Sequence, residues 1–292
     1  MTADQRTGTI ELPDGRTLTY ADLGAAQGAA VFVLDGPGSR GLARAASAAA
    51  VAEGIRLVAP DRPGFGGSTA EPGRSITSFA DDLVRLADAL GLETFGVLGQ
   101  SGGTPYALAS AVQMPGRVRA VSLMGAVAPL GEPGALEGVR GQMRTSFKLA
   151  RRAPWALRLM LRLAGSQARR DPERFAMRAV GDLPAADQAV LAAPEMRDIH
   201  VRTTAEIMSA PAEMAREVGL LTRPWGFDLA DVYTPVSLWV GDRDTTHPPA
   251  MSRRLARRLP DATVQVVPDA ATFGLAPHYA DALRFCAAAP VR

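Results

Sequence analysis

The chain has 292 residues, enough to bury a full core as one large α/β domain. Hydrophobic residues make up 47% and charged residues 21%, which excludes a disordered chain. The net charge of +2 supplies no global field toward nucleic acid or membrane, so neither is expected as a partner. The single cysteine, Cys286, excludes an internal disulfide and sits among Ala282, Leu283 and Phe285, where it reads as a small core residue. Lys148 is the only lysine among many arginines and alanines, the bias of a GC-rich bacterial genome. No apolar leader opens the chain and no run approaches the ~20 apolar residues of a membrane span, so a cytoplasmic location is expected.

In chain order, Ile10–Leu12 and Arg16–Tyr20 flank the turn Pro13-Asp14-Gly15 and predict a β-hairpin. Ala30–Leu34 is a short continuous apolar run, the pattern of a strand buried on both faces. A helix through Ala43–Ala52 and a strand at Arg56–Ala59 follow. Ser75–Leu90 is amphipathic, with Ser75 and Ser78 as caps and Gly91 as the stop. Thr94–Leu98 is a strand, then comes a helix reaching Gln113, then a strand at Val118–Met124. From Pro129 to about Asp231 only helical patterns occur. The alternation resumes with a strand at Val236–Val240, a helix near Ala250–Leu259, a strand at Thr263–Val267 and a helix near Pro277–Ala288. Alternating strands and helices predict a mostly parallel central sheet with helices on both faces. The uninterrupted helices predict an inserted helical cap over residues 129–231, with residues 1–128 and 232–292 forming the core.

Gly99-Gln100-Ser101-Gly102-Gly103 lies between a strand and a helix and fits the G-x-S-x-G nucleophile elbow. Small neighbours are needed there because the serine occupies a strained turn where strand and helix pack closely. The free N–H groups of the following helix stabilise developing negative charge. With this elbow, the chain resembles the α/β-hydrolase family over nearly its whole length. The supporting stretches are Asp35-Gly36-Pro37-Gly38-Ser39-Arg40, Asp61-Arg62-Pro63-Gly64-Phe65-Gly66-Gly67-Ser68, Thr104–Ala109 after the elbow, and Gly241-Asp242-Arg243-Asp244. Bacterial members with a Pro-Gly-Ser-Arg turn, a group containing esterases, are the most similar.

The resemblance implies a catalytic acid after the strand Val236–Val240, which selects Asp244 before Asp242. It also implies a base in the turn after Thr263–Val267, where related chains carry Gly-His. Here Ala271 and Thr272 stand at those positions. A threonine hydroxyl accepts no proton near neutral pH, so the resemblance implies a degenerate triad. His247, three residues past Asp244, substitutes only if its loop folds back toward Ser101; His200 falls in the cap and His278 at the last helix. The family's oxyanion segment, His-Gly-x-Pro, reads Leu34-Asp35-Gly36-Pro37. The N–H groups of Gly36 and Gly102 are the expected oxyanion donors; Pro37 has none to give. Asp35 is either a turn-forming residue at the strand end or an acid or base of a different reaction.

Between Ala135 and Arg170 the cap carries eight arginines and Lys148 against one acid, Glu137. This reads as a solvated helix face, or as a surface that steers an anionic or polyphenolic substrate. Trp155 and several leucines and methionines interleave as a soft lining. Trp155, Leu34 and Thr272 join the oxyanion glycines as residues expected to border a mid-sized apolar or polyketide-like small molecule. No metal-ligand cluster or dinucleotide fingerprint is visible, so no metal or cofactor is expected. Three functions follow: a non-hydrolytic cyclase, lyase or isomerase of secondary metabolism, or an atypical hydrolase; a serine esterase using His247; and a small-molecule-binding protein on a hydrolase scaffold. Oligomeric state is not legible.

Overall fold

The computed structural model describes residues 6–288. Eight strands form one sheet: β1 (Arg6–Glu11), β2 (Thr17–Gly24), β3 (Ala30–Leu34), β4 (Arg56–Pro60), β5 (Phe95–Ser101), β6 (Val118–Ala126), β7 (Val236–Gly241) and β8 (Ala262–Val267). Their spatial order is β1-β2-β4-β3-β5-β6-β7-β8. The β1–β2 and β2–β4 pairs are antiparallel and the remaining pairs parallel. The apolar run of β3 is buried at every position, as its lack of alternation requires.

Helices cover both faces. On one side, α2 (Ile76–Ala89) and α3 (Thr104–Gln113) pack Leu83, Leu86, Ala107 and Leu108 against Phe32, Val97 and Val121. Near β7, α10 (Pro249–Ala256) adds Met251 and Leu255 to this core. On the opposite side, α1 (Gly41–Ala52) and α11 (Tyr279–Ala288) close over Val31, Val33, Leu57 and Leu98 with Leu42, Ala46, Leu283 and Cys286. Ser75 caps α2 in a reciprocal box with Ser78: Ser78 N–H donates to Ser75 Oγ at 2.9 Å, and Ser75 N–H to Ser78 Oγ at 3.0 Å. Cys286 is fully buried, and burial pushes its thiol up to about 12, so it is inert core.

Between β6 and β7 stand six helices: α4 (Gly141–Arg152), α5 (Pro154–Arg170), α6 (Pro172–Met177), α7 (Ala185–Ala192), α8 (Pro194–Ser209) and α9 (Pro211–Leu221). Phe147, Leu157, Leu161, Val218 and Leu221 join this block to the first core without a break. The segment from Val127 to Arg140 is irregular, although the helical reading began at Pro129; Leu130, Ala135 and Val139 bury there without helical periodicity. The last helix is shorter than expected because Phe273–His278, which contains Pro277, forms a 3-10 turn. No helix among the described residues is long and apolar enough to cross a membrane.

Candidate active site

The site is built at the carboxyl ends of β3, β5, β7 and β8. Ser101 closes β5 with a φ of 50°, a left-handed backbone that a side-chain-bearing residue adopts only where its surroundings hold it. The flanking glycines are required by space. A Cβ on Gly103 would collide with the carbonyl oxygen of Leu34, and one on Gly99 would lie 2.9 Å from a methyl of Leu123.

The hydroxyl of Ser101 meets an imidazole. Nε2 of His247 stands 2.7 Å from Ser101 Oγ. The expectation that Ser101 faces a threonine where a proton acceptor belongs is therefore corrected. The loop after β7 folds back because Asp244 curls it. Asp244 Oδ1 accepts the N–H groups of Thr246 and His247, both at 2.7 Å, a turn that an aspartate side chain builds on its own backbone. The ring then enters the space beside Gly125, whose φ is 60°. A Cβ there would sit 3.2 Å from Nδ1 of His247. His247 and Asp244 are both nearly buried.

Thr272 joins this pair rather than replacing it. Its hydroxyl lies 2.7 Å from Oδ2 of Asp244 and 3.1 Å from Nδ1 of His247, while the direct Nδ1–Oδ2 separation is 3.4 Å. An ionised carboxylate only accepts, so the Thr272 hydroxyl donates to Asp244. Its oxygen then accepts from Nδ1–H, and the proton on Nδ1 leaves Nε2 free to accept from Ser101. Burial raises the carboxyl pKa of Asp244, but the facing charge of His247 and the hydrogen bonds from His247 and Thr272 outweigh it and hold the group at about 2.

The turn carrying Thr272 is fixed by a residue that the sequence reading missed. Asp187, in the first turn of α7, is fully buried and accepts N–H bonds from Ala271 at 2.6 Å, Phe273 at 2.7 Å and Gly274 at 3.0 Å. In the sequence it reads only as a first-turn helix acid.

Asp35 has no free acceptor directed at a substrate. Its carboxylate takes the N–H of Gly36 at 2.6 Å, the hydroxyl of Ser39 at 2.5 Å and the N–H of Leu42 at 3.0 Å. It staples the turn between β3 and α1, and the idea of an acid or base for other chemistry is corrected. The same bonds correct the reading of Gly36. Its position flanks Ser101, with a Cβ there falling 3.8 Å from that of the serine, but its N–H is already given to Asp35.

Leu34 belongs to the core, at 1% exposure. Trp155 is 71% exposed on the outside of α5, so it does not border the site. His200 contacts the carbonyl of Ala176 at 3.1 Å, and burial lowers its pKa. His278 stacks on Trp239. Neither reaches Ser101. Among the described residues, no group of three or more His, Cys, Asp or Glu side chains is arranged to hold a metal ion.

The segment around Gly36 is held from below by Arg62, which is 1% exposed. Its guanidinium donates to the carbonyls of Asp35, at 2.8 Å, and Gly36. It also lies 3.1 Å from Glu217 of α9, which binds Arg74 at 2.8 Å and the Tyr106 hydroxyl at 3.0 Å. A buried ionic network thus ties the turn after β3 to the helical block.

Known proteins resemble this chain in sequence and fold. A protein assigned provisionally as the carbamate hydrolase RutD of Caulobacter sp. (strain K31) is 27% identical over 240 residues, which is 82% of this chain and 81% of that one. The uncharacterized hydrolase YcgS of Bacillus subtilis (strain 168) is 32% identical over 114 residues, only 39% of each chain. Among solved structures, a thermophilic esterase from Thermogutta terrifontis superposes with a TM-score of 0.67 at 24% identity over 97% of both chains, a likeness of fold. Residues 36–279 match the alpha/beta hydrolase fold family, and the chain belongs to it.

Proposed function

We propose that the protein is a serine hydrolase of carboxylic esters, with Ser101 as nucleophile, His247 as base and Asp244 as acid. The observation that carries this reading is the 2.7 Å contact between Ser101 Oγ and Nε2 of His247. In the first step, Ser101 Oγ attacks the ester carbonyl and its proton passes to Nε2. The imidazolium that forms is stabilised by the Asp244 carboxylate directly and through the hydroxyl of Thr272. Collapse of the tetrahedral intermediate returns that proton from Nε2 to the leaving alcohol. Water then enters by the same proton path and releases the acid, so that ester and water become acid and alcohol.

The N–H of Gly102, in the turn before α3, is the oxyanion donor in this scheme. The N–H of Gly36 reaches the oxyanion only by leaving Asp35. Non-hydrolytic chemistry rested on a missing base, and an imidazole at the serine removes that reason. A mid-sized apolar acyl group suits the helices over the site, where Leu221 of α9 lies 3.6 Å from where a Cβ on Gly102 would be.

The test is turnover of short and medium-chain p-nitrophenyl esters together with fluorophosphonate labelling. Wild type is expected to hydrolyse and label, with both lost in Ser101→Ala and turnover reduced at least about a thousandfold in His247→Ala. A wild type silent in both assays would remove this function.

A further inference from the structure

One face of the helical block is both greasy and strongly basic. Helix α5 buries Leu157, Leu161, Ala164 and Ala168 inward. On its outer side, Trp155, Leu159 and Leu163 are 71%, 52% and 59% exposed. They follow one another at intervals of four, so they form a single ridge along the helix. Arg158, Arg162 and Arg169 run along one flank of that ridge by the same periodicity, all exposed.

The charge is segregated. From Arg140 to Arg170 there are nine cations and no acid, whereas the whole chain carries a net +2. The remainder is therefore at −7. Among the described residues, Lys148 and Arg151, Arg152, Arg158, Arg162, Arg169 and Arg170 form no ion pair. A small net charge thus conceals a strongly basic stretch over α4 and α5.

We propose that this outer face of α5 is a docking surface for an anionic lipid bilayer. The ridge of Trp155, Leu159 and Leu163 would enter the headgroup boundary, and the arginines would meet lipid phosphates. A second copy of the chain fits the face poorly, because two such faces would set like charges against each other. Nucleic acid would use the cations but give the ridge no apolar partner. This location is independent of the catalytic reading.

The experiment is co-sedimentation of the full chain with phosphatidylcholine vesicles, with and without phosphatidylglycerol, while following Trp155 emission. The other two tryptophans are less exposed, Trp225 being buried. Binding at least tenfold stronger to the anionic vesicles is expected, with a blue shift and with weakening as salt rises. Arg158→Glu with Arg162→Glu, and separately Trp155→Ala with Leu159→Ala, should each weaken binding about tenfold or more, with unchanged Tm and elution volume. Ser101→Ala should bind like wild type. Equal partitioning onto both vesicles, no binding, or insensitivity to either pair of changes would overturn the proposal. So would dimerisation that the Trp155 and Leu159 changes abolish, or DNA binding that outcompetes the vesicles.

Discussion

Thr272 Oγ1 lies 2.7 Å from Asp244 Oδ2, so the position at which the resemblance leads one to expect a catalytic histidine instead carries a hydroxyl bridging acid and imidazole. The imidazole comes from the loop after β7, in His247. The serine, the ring and the carboxylate are all present, but the ring reaches the serine from a neighbouring loop.

Removing the bridge should separate orientation from binding. Thr272→Val keeps the shape of the side chain and deletes the hydroxyl, leaving Nδ1 with only its 3.4 Å partner. We expect kcat on p-nitrophenyl esters to fall about tenfold to a hundredfold with little change in KM, since the tautomer and tilt of the base are less well held. Thr272→Ser should recover most of the loss. Steady-state kinetics of the three proteins checks this, and a valine variant with wild-type kcat would show that the bridge is idle.

The catalytic members should fail as a unit. Ser101→Ala and His247→Ala together are expected to be no slower than the worse of the two alone, because each already abolishes the same proton transfer. Additive losses on the logarithmic scale would separate the two residues.

Acid should weaken the site only at low pH. Asp244 is held at about 2 in the folded chain, below the ~3.9 of an unfolded aspartate. The unfolded state therefore binds more protons on this group. Its contribution, on the order of 2 kcal/mol, is complete above about pH 4 and is lost as pH falls toward about 2. Urea unfolding across this window should show a smaller pH slope in Asp244→Asn than in wild type.

The ionic network under the turn after β3 predicts a stability effect. Glu217 faces Arg62, Arg74 and Tyr106 with almost no exposure. Glu217→Ala leaves the buried Arg62 without a carboxylate partner, while Arg74 keeps Glu213, and should cost about 3–5 kcal/mol, read as a lower denaturation midpoint. Residual esterase activity should fall as well, because Arg62 positions the segment beside Ser101.

Asp187→Ala tests how the helical block supports the site. It strips the acceptor from three buried N–H groups of the turn carrying Thr272, so a loss of roughly 2–4 kcal/mol is expected. Activity measured well below the new Tm should also drop, because Thr272 is then free to drift. Full activity in a destabilised protein would confine Asp187 to folding.

The layered sheet, its helices and the elbow at Ser101 were legible in the sequence because each depends on neighbours along the chain. Apolar runs such as Ala30–Leu34 announce buried strands, and glycines at 99, 102 and 103 announce a tight strand-to-helix turn. The resemblance singled out Asp244 by its place after β7, ahead of Asp242. The serine's partner was not. His247 and Thr272 are 25 residues apart, and which of them meets the serine hydroxyl depends on how two loops close on each other. Beside the local turn that the Asp244 side chain makes, two tertiary facts decide it: Gly125 leaves room for the ring, and Asp187 of the inserted helices pins the opposite turn. Helical spacing told equally little about whether Trp155 faced substrate or solvent, since only the packing of α5 on its neighbours selects the side that is buried. Local pattern therefore determined the scaffold and the turn that presents Ser101, while contacts between distant segments decided which imidazole meets that serine, the state of the turn after β3 and the direction of the exposed ridge.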